Sequence, residues 1–317
     1  MLDSLLNKRT IIFYISFFFI VISSIIISSS SFRYGLDFVG GFKLEYKILN
    51  NNTNKNISLD NINIYGDTKP TTIYTKDSII IKLKKTNVDV ITIKENIESY
   101  FNKNNIQTEL LSFDKISPKF GVELKEKATT SILLSLLLVL LYIFFRYEII
   151  FAFSSILTLV HDLVITLALL LLFDIEITTS IIAALLTIIG YSLNDTVIIF
   201  DRIRTILQKS KINKLKEISN ISIQKNFSRT LLTSLTTLFT VSSLLIFGGD
   251  SLYGFAFTLF IGIIIGTFSS MFIAPSLLEI FKFNTIKYKE KFAIKEKIRK
   301  DKDNLRNQFS NDGNEYY

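Results

Sequence analysis

Very few side chains in this sequence are equipped to do chemistry. The 317 residues hold one His and no Cys, which excludes disulfides and thiolate metal sites and leaves too few soft ligands for zinc or iron. What remains is a small set of ionisable groups in apolar surroundings: His161-Asp162, Asn194-Asp195 and Arg229. Inside lipid such groups cost ~2.5 to 3.5 kcal/mol each on insertion scales, so each needs a role. If Asp195 and Arg229 face each other, protonating the carboxyl would release the guanidinium and change helix packing, a proton-driven switch. The same pair could instead be a static interhelical tie. His161 could relay a proton near neutral pH, or His161 and Asp162 could simply hydrogen-bond hydroxyls on neighbouring helices. An intramembrane metalloprotease would need two His at helical spacing, and no G-x-x-x-x-G-K-[ST] loop is present for nucleotide hydrolysis. Nothing around Asp162 or Asp195 resembles a catalytic aspartyl motif. The chain is therefore read as a non-enzyme, with no catalytic residue, no metal ligand and no cofactor.

The elements that position these groups follow from composition. Hydrophobic residues make up 49% and charged residues 20%, and the mean hydropathy is +0.38. Apolar runs fall at 11–30, 128–145, 149–173, 177–200, 230–247 and 252–278, each near the length that crosses a ~30 Å hydrocarbon core. Six spanning helices are expected. The first is read as an uncleaved anchor, because its apolar core exceeds the ~7 to 15 residues of a signal peptide. Asp195 then lies ~25 Å along the fourth span from Thr178, at ~1.5 Å per residue, nearer its far end than its middle. Gly190 and Asn194 form an i, i+4 edge beside it where a neighbouring helix can approach. Arg229 begins the fifth span, and Thr233, Thr236 and Thr240 continue it as a polar stripe suited to a bundle interior or a wet cavity. Gly262, Gly266, Ser270 and Ala274 give the sixth span a small-residue packing face.

Charge placement orients these spans. Lys8, Arg9, Arg146, the bases after the fourth span and the tail from Lys282 onward fall on one side, while the links holding Asp174, Glu176 and Asp250 fall on the other. By the positive-inside rule both termini are cytoplasmic and 31–127 lies outside. The basic tail is read as a cytoplasmic feature facing membrane lipid rather than a nucleic-acid patch, since it lacks a recognisable module of interleaved aromatics. The outer segment is expected to fold as a small α+β domain. Alternation at 43–48 and 78–84 predicts half-buried strands, Val90, Ile93, Ile97 and Phe101 predict a helix over 89–102, and 106–113 reads as another strand. A polar loop is expected at 51–56. The predicted organisation is 1–30 (cytoplasmic N-terminus and first span), 31–127 (outer domain), 128–281 (spans two to six) and 282–317 (basic tail).

Two stretches together resemble a known family. Tyr34-Gly35-Leu36-Asp37-Phe38-Val39-Gly40-Gly41 is similar to the G-x-D-F-x-G-G signature that opens the first periplasmic domain of the SecF family, accessory subunits of bacterial protein export. The run from Gly190-Tyr191-Ser192-Leu193-Asn194-Asp195 through Arg204 resembles that family's fourth-helix motif almost residue for residue. His161-Asp162 and Ser228-Arg229-Thr230 match its third and fifth helices. The likeness spans about residues 8 to 283. The related SecD subunits have a much larger outer domain and a G-L-D-L-x-G-G variant, so Phe38 and the short outer segment favour SecF. Ser117 before Pro118 departs from the family's usual Gly.

The resemblance implies a resistance-nodulation-division type of membrane fold, with six helices here joined to six from SecD. It further implies a bacterial inner-membrane location and association with the SecYEG channel and YajC. The pair would use the proton gradient to help draw preproteins out on the periplasmic side after SecA has driven them in. Asp195 and Arg229 would lie on the proton path, with Asn194, Asp162 and His161 beside them. Gly40 and Gly41 suit a tight turn with positive φ, and Asp37 could cap or hinge there with Gly35. Other readings are a half-sized exporter of small molecules or lipids, and a scaffold that only steadies the channel.

Overall fold

The computed structural model describes residue 6 and residues 8–49, 70–74, 78–84 and 90–312; the expected polar loop at 51–56 lies outside them. Each apolar run forms a helix long and apolar enough to cross a membrane. In order these are α1 (Arg9–Ser29), α4 (Pro118–Arg146), α5 (Ile149–Leu172), α6 (Thr179–Lys209), α7 (Leu215–Phe247) and α8 (Gly249–Ile280). A further helix, α9 (Thr285–Asp312), follows them.

The helices outrun the apolar windows at several ends. Residues 118–127 extend α4 and 215–229 extend α7, because Lys, Glu, Gln and Leu are strong helix formers whether or not lipid surrounds them. Pro118 starts α4 at a position where its missing N–H costs nothing. At the end of α5, Asp174 takes φ +57 and Ile175 N donates to Leu170 O at 2.9 Å, a left-handed stop made without glycine. Of the six spans, α8 is the most enclosed, while α1, α4 and α7 leave most of their surfaces open.

Between α1 and α4 lies the head. It comprises α2 (Leu36–Val39), β1 (Gly41–Ile48), β2 (Thr71–Tyr74), β3 (Ser78–Lys84), α3 (Val90–Lys103) and β4 (Thr108–Ile116). The strands form one antiparallel sheet in the order β2-β3-β1-β4. Alternation puts Leu44 and Tyr46 of β1 and Ile79, Ile81 and Leu83 of β3 on the covered face, where Ile93, Ile97 and Phe101 of α3 close the core. Each such side chain contributes about 1.5–3 kcal/mol by leaving water. The sequence-predicted α+β unit between the first two spans is thus present, with β4 displaced two to three residues toward the C-terminus. The predicted division at 127 and 128 falls inside the unbroken α4, which starts directly after the last strand of the head.

Candidate functional site

The third and fourth spans bring their ionisable groups to different environments. Asp162 is fully buried and its acceptors are filled. Ser192 Oγ on α6 donates to Oδ2 at 2.6 Å and Ser269 Oγ on α8 donates to the same oxygen at 2.8 Å. His161 Nδ1 lies 3.0 Å from Oδ1, and its Nε2 lies 2.6 Å from Ser16 Oγ on α1. A neutral ring with hydrogen on Nδ1 donates to Asp162 and accepts from Ser16; a doubly protonated ring donates to both. The Asp162 carboxylate thus ties α5 to α6 and α8, and His161 extends the network to α1. Gly266 permits this closeness, since a Cβ there would stand 3.0 Å from Ser192 Cβ and 3.6 Å from Asp162 Oδ2. Gly262, one turn earlier, lies against Ile188 with no room for a side chain. Beside this network Tyr191 OH donates to Ser234 Oγ at 3.2 Å, and Ser234 and Thr267 share a hydrogen bond of 2.7 Å. Sequence reasoning passed over Ser16, Ser234, Thr267 and Ser269. Hydroxyls within apolar runs were the available signal, but which of them meet is decided by packing.

Asp195 is the opposite case. It is 2% exposed, and its Oδ2 has no hydrogen-bond partner. The charge of Arg229 reaches it from α7, yet among the described residues no ion pair joins the two. Arg229 is exposed, as are Thr233, Thr236 and Thr240, whose hydroxyls bond back to carbonyls of α7 itself. The predicted polar stripe thus faces out of this chain's bundle rather than into its interior. Its spacing is as expected, but Leu215–Phe247 turns Ser234 and Val241 inward instead. Asn194 is exposed, and among the described residues no other helix comes within 4 Å of the position a Cβ on Gly190 would take. The close helix approach for which that edge is suited is not made among the described residues. Among the described residues no group of three potential metal ligands occurs.

The glycine motif after α1 is a joint between head and bundle. Gly40 and Gly41 have φ of +78 and +144. A Cβ on Gly40 would stand 2.6 Å from Pro118 N, and one on Gly41 would collide with Leu83 O, so both backbone angle and contact demand glycine. Gly35 N donates to Ile177 O and Ile177 N donates to Arg33 O, each at 2.7 Å, which stitches this segment to the α5–α6 link. Ion pairs Arg33–Asp174 and Lys84–Glu176 tie the same link to the segment and to β3. Asp37 caps neither its own turn nor β1. Its Oδ2 accepts from Thr179 N at 3.0 Å and Thr179 Oγ1 at 2.7 Å, capping the first turn of α6, the helix that carries Asp195. Asp37→Ala should cost about 1 kcal/mol, seen as about fivefold faster hydrogen exchange of the first amides of α6. Unchanged exchange there would mean that the cap does not hold α6.

A further ionic contact that the sequence did not reveal lies at the start of α1. Arg9, read as a flanking charge, is 1% exposed; it pairs with Glu279 at the end of α8, and its Nη1 donates to Asn220 Oδ1 on α7 at 3.0 Å.

These arrangements define a multi-pass helical membrane protein whose bundle meets a small α+β head at the start of one helix. Comparison with known proteins narrows that class. The profile of the family described as protein export membrane protein SecD/SecF, C-terminal, matches residues 96–284. The protein translocase subunit SecF of Helicobacter pylori strain J99 is 36% identical over 281 residues, covering 87% of this chain and 86% of that protein. SecF of Calditerrivibrio nitroreducens is 40% identical over 287 residues, covering 87% and 93%. The crystal structure of SecDF from Thermus thermophilus, a translocon-associated membrane protein, superposes with a TM-score of 0.76 at 29% identity, covering 87% of this chain and 38% of that one. SecDF in a super-membrane-facing form gives 0.66 at 28% identity, covering 92% and 40%. This chain thus spans about two fifths of each SecDF chain. The chain belongs to the SecD/SecF family of protein-export membrane proteins, in its SecF branch.

Proposed function

We propose that this chain is an accessory subunit of the Sec translocase in a bacterial inner membrane. With a SecD partner it uses the proton gradient to assist preprotein translocation and release on the periplasmic side. SecYEG and YajC are its neighbours, and SecA acts upstream of it. Family membership supports the translocase assignment, and the SecDF chains, more than twice as long, support a partner of the SecD kind. The exposed stripe of Arg229, Thr233, Thr236 and Thr240 is the polar face such a partner would cover. Both termini are cytoplasmic by the placement of Lys and Arg.

The observation that carries the proposal is the pairing of an unsatisfied buried carboxyl with a mechanical link. Asp195 lies within α6 with a bare Oδ2, and the first turn of that helix is capped by Asp37 at the base of the head. A proton arriving at Asp195 changes its interaction with Arg229 and so the seating of α6, and the joint at Asp37 and Gly40-Gly41 passes that change to the head. Asp162 and His161, already hydrogen-bonded across four helices, form the fixed frame against which α6 moves. Separation of one charge across ~100 mV supplies ~2.3 kcal/mol, enough to bias such a joint.

A small-molecule exporter would be favoured by an apolar substrate pocket at the outer domain; the apolar cleft below the head, lined in part by Tyr34, Phe38, Ile132 and Leu185, measures about 200 Å³, under the ~300–1,000 Å³ usual for ligand sites. The test is preprotein release from proteoliposomes holding the channel, SecA, the SecD partner and this chain, with and without a proton gradient after ATP is exhausted. Gradient-dependent release should vanish when this chain is omitted. Release that needs the chain but ignores the gradient would select the scaffold, and release indifferent to the chain would refute a translocase role.

A further inference from the structure

At the bundle end farthest from the head, the chain folds a groove of about 780 Å³ with a divided lining. Six cations line it: Arg146, Arg204, Lys282, Lys287, Lys291 and Lys295. The acid in the lining is Glu148, and Lys291 lies 3.3 Å from it. Among the described residues the other five cations have no ion-pair partner. The rest of the lining is mostly apolar, broken by Asn284 and the hydroxyls of Tyr147 and Tyr288. Phe144, Phe145 and Ile149 occupy the ends of α4 and α5 and are 45%, 81% and 52% exposed.

Arg204 and the helix that carries the lysines are held in place by contacts behind the groove. Tyr288 OH accepts from Arg204 Nε and Gln208 Nε2, each at 3.2 Å, and the Arg204 guanidinium lies 4.7 Å from the centre of the Tyr147 ring. Burial, with the Asp201 carboxylate adding to it, raises the Tyr147 phenol above its usual range, against the pull of Arg146 and Arg204. On the other side of α9, Lys289 Nζ donates to Ser210 O at 2.8 Å and Ile212 O at 2.6 Å, and Thr285 Oγ1 donates to Asn213 O at 2.7 Å. These bonds dock α9 against the α6–α7 link. Lys287, Lys291 and Lys295 then share one face at i, i+4 and i+8. α5 begins at the groove without a side-chain cap, so its positive end adds to the field.

A soluble anion would satisfy the cations and leave exposed aromatics at the ends of two membrane spans. An anionic glycerophospholipid satisfies both. Its phosphate would lie among Arg146, Arg204 and the lysines of α9, and its acyl chain would run along Phe144, Phe145 and Ile149 into the bilayer. We propose that this groove is a binding site for an anionic phospholipid, with α9 as its basic wall. The inference rests on the membrane location and not on proton coupling, so either can fail alone.

The experiment uses the chain purified with its SecD partner from a phosphatidylcholine bilayer carrying a minor fraction of phosphatidylglycerol, with retained lipids counted by native mass spectrometry. Lys287→Gln, Lys291→Gln and Lys295→Gln together should cut retained phosphatidylglycerol by at least about tenfold. Lys297→Gln, Arg299→Gln and Lys300→Gln, which remove the same charge farther along α9, should change it less than about twofold. Replacing the first three lysines by arginine should preserve retention, which separates loss of charge from misfolding. Equal losses in the two glutamine variants would mean diffuse attraction and overturn the site. Displacement of the lipid by inorganic phosphate would make it a soluble-anion site, and a wild-type complex without retained phosphatidylglycerol would end the proposal.

Discussion

Asp195→Asn is expected to leave the chain in the membrane and bound to its partner while erasing the gradient-dependent part of preprotein release. Asn preserves shape and polarity but cannot take up or release a proton at neutral pH. The substitution should be structurally mild, because Oδ2 of Asp195 makes no hydrogen bond that Asn would forfeit. On the proposed coupling, a proton routed through the site at ~100 mV would bias α6 by up to ~2.3 kcal/mol, a factor of about fifty. In the substituted complex the ratio of release with and without the gradient should fall to about one, while release driven by SecA and ATP stays unchanged. A ratio equal to wild type would remove Asp195 from the coupling and leave the scaffold reading in place. Asp162 provides the contrast within the same bundle. Its oxygens are engaged by Ser192, Ser269 and His161, so its substitution should act through helix packing.

What the sequence made legible here follows from how local each signal is. Spanning helices are written in hydropathy, and all six appear in order. Their ends are less visible, because polar helix formers such as those at 118–127 prolong a helix without registering as apolar. For the same reason the basic tail gave no hint of docking, although Tyr288 and Lys289 fix α9 to the end of α6. The positive φ expected at Gly40 and Gly41 is present, because a dipeptide of that kind carries its own conformational reason. That Asp37 caps a helix 142 positions away was invisible, since capping is normally read three residues ahead. The Asp195 and Arg229 pairing shows the same limit. Ionisable groups inside spans can be found from sequence, but the direction of α7 is set by Ser234 meeting Thr267 and Tyr191, and this turns Arg229 outward.

Arg9→Met should destabilise the bundle by about 3 kcal/mol, the largest stability loss expected from a single ionic group here. Arginines at the ends of spans normally extend into water. Arg9 instead is enclosed between α1, the end of α8 and the start of α7, paired with Glu279 and donating to Asn220. Removing it strands a carboxylate that is only 26% exposed, and deleting one partner of a buried pair costs more than deleting both. The loss belongs at the low end of the usual ~3–5 kcal/mol because Glu279 keeps some access to water. Arg9→Met with Glu279→Met should therefore recover most of the stability, measured as the thermal unfolding midpoint of the purified complex in lipid. Arg33→Met offers a comparison within the same chain. Its pair with Asp174 is about three-fifths exposed on both sides, and its loss should cost under about 1 kcal/mol. A midpoint unmoved by Arg9→Met would mean that α1 is not clamped at its start. The contact of Ser16 with His161 would then be left to hold α1 against the bundle.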